Sequence, residues 1–103
     1  MTTRPSCSPM LPDAAKIEFE RMVDVLGRKA GAVDAVALEM LAANIATWRK
    51  AVRDIDETGT VVMSGGMAIP NPNITVAERI QGQILAISKE MGLSAALRRR
   101  LTS

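Results

Sequence analysis

Residues 34–57, DAVALEMLAANIATWRKAVRDIDE, decide the fold. Their apolar residues fall at Leu38, Leu41, Ile45, Trp48, Val52 and Ile55. Steps of three and four place all six along one stripe of a helix. Asp34 precedes the stripe as an N-cap, and Gly59 lies just past its end as a stop. At about 1.5 Å per residue such a helix is on the order of 35 Å long. A rod of that length in a chain of 103 residues cannot bury its seam alone. It needs a second helix, another subunit, or both.

The second helix lies downstream, after Pro72. Its stripe is Ala77, Ile80, Ile84, Ile87 and Met91, again at helical spacing. Thr75 and Glu78 suit a capping box, with Asn73 as a competing cap, and Gly92 closes the helix. Two seams of matching period predict an antiparallel helical hairpin, and either helix could pack again on another copy. The seam residues Leu38, Leu41, Ile45, Trp48, Val52, Ile55, Ile80, Ile84, Ile87 and Met91 therefore serve the hairpin, an oligomer, or both. Between the helices, Val61–Met63 and Met67–Ile69 flank Ser64-Gly65-Gly66, which suggests a small β-hairpin at 60–69. A two-stranded hairpin is marginal alone, so it should dock on helices or pair with a neighbour. Its glycines are no phosphate loop, because Met67 stands where the Lys would follow.

Upstream, Asp13 opens a first helix with the stripe Ala15, Phe19, Met22, Val23 and Leu26. Gly27 and Gly31 end it, and RKAGA reads as a connector. Residues 1–12, rich in Pro, Ser and Thr, read as a flexible tail ahead of one helical domain at 13–103. Ser94 caps a last short helix, AALRRRL. The fold class is all-α: an antiparallel helical hairpin with an N-terminal helix, a short C-terminal helix and the small β-hairpin.

Composition narrows the function. Apolar residues make up 48%, but the aromatics are only Phe19 and Trp48, which argues against stacking platforms for single strands. There is no His and a single Cys, Cys7, so a zinc site of Cys/His type and a histidine base are excluded. No cofactor site or metal cluster is expected. No apolar run is long enough to span a bilayer, and no signal-peptide core follows the first Met, so a soluble intracellular protein is expected, with no membrane partner.

The net charge of +2 splits as +1 over 1–33, −2 over 34–57 and +3 over 58–103. Arg28 and Lys29 either complement the helix dipole or contact DNA. Arg98, Arg99 and Arg100 form a positive knob, suited to solubility or to a polyanion held by counterion release. Arg49, Lys50 and Arg53 read as a solvated face. Asp54, Asp56 and Glu57 crowd the negative end of the long helix, where only cations would make them favourable. Arg79 and a neighbouring subunit are the competing sources of those cations, ahead of a metal ion on the paired carboxylates, which no further carboxylate is placed to complete.

The ordered set resembles the small terminase subunit of tailed bacteriophages and prophages. It comprises the Asp-opened long helix with its WRKA segment, the Val-rich Gly-Gly stretch, Pro70-Asn71-Pro72, and Met91-Gly92-Leu93-Ser94 before Arg98, Arg100 and Leu101. The resemblance runs from Leu11 to Leu101. Ser94-Ala95 stand where Thr-Pro is common in the branch, and the basic lead-in of many members is short here. The resemblance implies a non-enzymatic, ring-forming homo-oligomer in the bacterial host cytoplasm. Its partners would be viral double-stranded DNA and the terminase large subunit, which holds the ATPase and nuclease. Arg28, Lys29, Arg98, Arg99 and Arg100 are then the candidate DNA-binding residues, multiplied around a ring. The alternative is a helical oligomeric adaptor that mediates protein–protein assembly without DNA.

Overall fold

The computed structural model describes residues 5–32 and 34–103. Helix α1 (Asp13–Leu26) leads through a 3-10 segment (Gly27–Ala32) into α2 (Ala35–Thr58). The β-hairpin β1 (Val61–Ser64) and β2 (Met67–Pro70) follows, then α3 (Pro72–Glu90) and α4 (Ala95–Thr102). No helix of the described residues is long and apolar enough to cross a membrane.

The sequence cues set most of the boundaries. Asp34 caps α2, its carboxylate accepting the Val36 N–H at 2.8 Å. Gly59, at φ 88°, ends it, as a residue free of a Cβ can. Gly92, at φ 72°, closes α3. There the Gly92 N–H bonds to the Lys89 carbonyl and the Leu93 N–H to the Ser88 carbonyl, both at 3.0 Å. That pair of bonds is the Schellman pattern, which satisfies carbonyls the helix leaves open. Ser94 caps α4 through the Leu97 N–H at 3.1 Å.

The start of α3 differs from expectation. Neither Thr75 nor Asn73 is its cap. Asn71 is, with its side-chain oxygen accepting the Asn73 N–H at 3.0 Å and Pro72 in the first turn. Proline pre-sets the helical φ there and lacks only an N–H that would have had no partner. Asn71 is buried, and its amide donates to Thr58 Oγ1 at 2.9 Å and to the Gly59 carbonyl at 2.8 Å. One side chain thus starts α3 and ties it to the end of α2.

Helices α2 and α3 run antiparallel, and α1 packs on α2. The core lies where α1, the first half of α2, the second half of α3 and α4 meet. Phe19, Met22, Leu38, Leu41, Ile45 and Leu101 are fully enclosed there, beside Ile80 and Ile84. Trp48, Ile87 and Met91 are half-buried at its margin. Beyond Trp48 the long helices continue as a two-helix stalk, joined by the buried small residues Ala51 and Ala77. The seam of α2 rotates at this point. Ile55 is half-buried and Val52 is 40% exposed, because α1 has ended and only α3 covers the stalk. The stalk gives the molecule extents of 60 × 28 × 18 Å.

One further expectation, the pairing of Arg79, meets a different arrangement. From Pro5 on, the residues ahead of α1 run against the helices. Cys7 and Leu11 pack on the core, and the Ser8 N–H donates to the Glu39 carboxylate. The first four residues lie outside the described residues. Arg79 does not pair with Asp54 or Glu57. It lines a shallow cleft with Ala43, Asn44 and Thr47, because antiparallel packing sets it two turns or more from the end of α2. Asp54, Asp56 and Glu57 form no ion pair among the described residues.

The hairpin sits at the stalk's far end. Its strands pair in register, Val61 with Pro70 and Ser64 with Met67. Gly65 and Gly66, at φ 57° and 80°, form the turn whose twist suits a two-residue hairpin. The expected docking on helices is slight: neither strand packs substantially on a helix, and only Val62 and Ile69 of the two strands are half-buried. Val61 is 58% exposed, and Met63 and Met67 are each 69% exposed.

Candidate functional site

Glu18 interrupts the apolar stripe of α1 between Ala15 and Phe19, and it is buried. A buried carboxylate needs a cation. Arg49 of α2 supplies it, with Nε 2.6 Å from Glu18 Oε1. Arg21, one turn along α1, approaches the other oxygen at 3.8 Å. Both guanidinium groups then turn to the end of α4. Arg21 Nη1 and Arg49 Nη2 each donate to the Leu101 carbonyl at 3.3 Å. Arg49 also donates to the Ser103 main-chain oxygen at 3.2 Å, and Arg21 donates to the same oxygen. Carbonyls at a helix end lack intrahelical partners, and two cations meet them here. Beside this clamp, Leu101 is inserted into the core at 1% exposure.

Holding α4 in this way creates a basic face around Trp48. On one side Trp48, Ile84 and Leu85 floor a cleft of about 230 Å³, rimmed by Gln81, Arg98, Arg99 and Thr102. On the other, Trp48 and Thr102 share a wider hollow of about 440 Å³ with Arg49, Val52, Arg53 and Asp56. Arg53, Arg98 and Arg99 form no ion pair among the described residues. The Trp48 indole N–H is buried without an acceptor among the described residues. Unpaired arginines around an apolar floor attract anions, and the field adds across the face. The cleft is smaller than the roughly 300–1,000 Å³ of small-molecule sites. No group of three or more His, Cys, Asp or Glu side chains is gathered to hold a metal among the described residues.

The structure divides the five basic residues singled out from the sequence. Arg98 and Arg99 rim the cleft, and Arg100 is exposed on the same helix. Arg28 and Lys29, also exposed, lie in the 3-10 segment after α1. They follow Arg21 by seven and eight residues, on the order of 10 Å of helix rise, so they form a separate patch. Sequence reasoning placed Arg49 and Arg53 on a solvated face and passed over Glu18. The missed signal was Glu18 itself, a charge at core spacing in an amphipathic stripe.

Searches of curated proteins and of solved structures returned no match. A family model described as phage terminase, small subunit, matches residues 15–103. That match spans all but the first two residues of α1, the other three helices, the hairpin and the arginine face, and by it the chain belongs to the phage terminase small-subunit family.

Proposed function

We propose that this chain is the oligomeric, DNA-recognising component of a phage or prophage packaging motor. In this reading it acts in the bacterial host cytoplasm, binds viral double-stranded DNA, and recruits or regulates the large ATPase/nuclease subunit without catalysing a reaction itself. The family match carries the reading. It is supported by cations that form no ion pair among the described residues: Arg28, Lys29, Arg99 and Arg100, all exposed, and the half-buried Arg98. Several copies in a ring would set these small patches side by side and make weak interactions with phosphate additive.

The test is duplex-DNA affinity across a salt series. The expected result is a steep fall. Replacing Arg28, Lys29 and Arg100 with Ala lowers the slope of log affinity against log salt by about 1 for each phosphate no longer neutralised. The apolar floor of the Trp48 cleft favours a second reading, an adaptor that binds only protein. Affinity absent at low salt would select it.

A further inference from the structure

Residues 58–77 carry no charge, and the hairpin at their centre is apolar and open. Val61, Met63, Ala68 and Pro70 share one strand face by the period-two rule, and all four are exposed. Both hairpin edges also lack a strand partner among the described residues. A monomer with an uncharged, apolar, open-edged tip invites association. Just before the tip, Asp54 and Glu57 share a helical face. They carry negative charge to the already negative end of α2, with no cation on them among the described residues. The opposite surface lies on the same chain: the apolar cleft at Trp48, Ile84 and Leu85, rimmed by Arg98 and Arg99, which form no ion pair among the described residues.

We propose that the stalk end of one copy, hairpin and acidic collar together, docks on the Trp48 cleft of the next. Apolar hairpin residues cover the cleft floor while Asp54 and Glu57 meet Arg98 and Arg99. A duplex or a small anion would satisfy the arginines but not the apolar floor or the bare hairpin. A second copy satisfies all three and supplies the cations that the end of α2 lacks. The two patches are different surfaces of one chain, so the interface is head-to-tail and closes into a ring where the rotation permits. Arg98 and Arg99 then serve the subunit interface, leaving Arg100 with Arg28 and Lys29 for a duplex. This interface deepens the oligomeric part of the proposed function but does not depend on DNA binding.

The test is charge exchange, read by native mass and with far-UV circular dichroism to confirm folding. Wild type is expected to assemble, and Asp54→Arg/Glu57→Arg and Arg98→Glu/Arg99→Glu each to self-associate at least tenfold more weakly. Mixed one to one, the two variants regain assembly, because each reversed patch now meets its complement. Met63→Lys/Met67→Lys alters side chains exposed in the monomer and weakens assembly even if a charge variant fails to fold. Unchanged mass on reversal, or a mixture that stays dissociated, overturns the proposal. So does a monomeric wild type whose hairpin is protected from exchange only by another protein. Failure of DNA binding in an assembled ring would count against the proposed function alone.

Discussion

Asn71 starts one helix and holds the end of another. It caps α3, and its amide holds Thr58 and Gly59 at the end of α2. Replacing it with Ala removes a cap and leaves the Gly59 carbonyl without this donor. The expected cost is about 2 kcal/mol, or a fall of about 8–16 °C in melting temperature for a domain of this size. Asn71→Asp separates the two roles. It retains the cap but removes both donors and sets a carboxylate against a carbonyl, so it should gain little over Ala. Thermal melts at fixed protein concentration check this; a full rescue by Asp would show that the cap alone matters. Sequence alone did not reveal this residue's role. Thr75 and Glu78 have the spacing of a capping box, but Pro72 makes its own position the first turn, and that moves the cap back to Asn71.

At the scale of elements, the helices were legible because each carries a stripe and a stop signal that agree. Gly59 and Gly92 have the positive φ that their positions demand. Less legible was which side of a helix stays covered. Val52 continues the α2 seam in spacing, yet it is 40% exposed, because the partner helix α1 has ended. Spacing reports a face, not how far the neighbour reaches. The clamp on α4 was hidden for a related reason: it joins Glu18, Arg21 and Arg49 to α4 across large sequence separations. Arg49→Ala leaves Glu18 buried with only Arg21, at 3.8 Å, and frees the carbonyls at the end of α4. A loss of about 2–3 kcal/mol is expected, below the usual cost of breaking a buried pair because Arg49 is partly exposed. Hydrogen exchange should show α4 amides losing protection while α2 keeps its own. Leu101→Ala should act on the same element through packing, costing about 2–5 kcal/mol. Equal loss of protection in α2 and α4 would mean that α4 is not a separately opening unit.

The whole molecule is extended for its size. Its radius of gyration is 15.7 Å, against about 13 Å for a compact domain of this length. The fully enclosed side chains lie at one end, while the stalk exposes Val52, Val61, Met63 and Met67. Unlike the helical stripes, this imbalance is not visible in any single window of sequence, since it depends on where α1 and α4 stop. A chain that buries its apolar surface so unevenly should draw part of its stability from association. Folding is then linked to protein concentration. The wild-type melting temperature should therefore rise by several degrees over a hundredfold increase in concentration. The Met63→Lys/Met67→Lys variant should melt lower and independently of concentration. Both substitutions leave the core untouched, so a lower melt would report weaker packing between copies. Concentration-independent melting of wild type across that range would mean that the short core at the α4 end suffices, and that the stalk is held by α2–α3 packing alone.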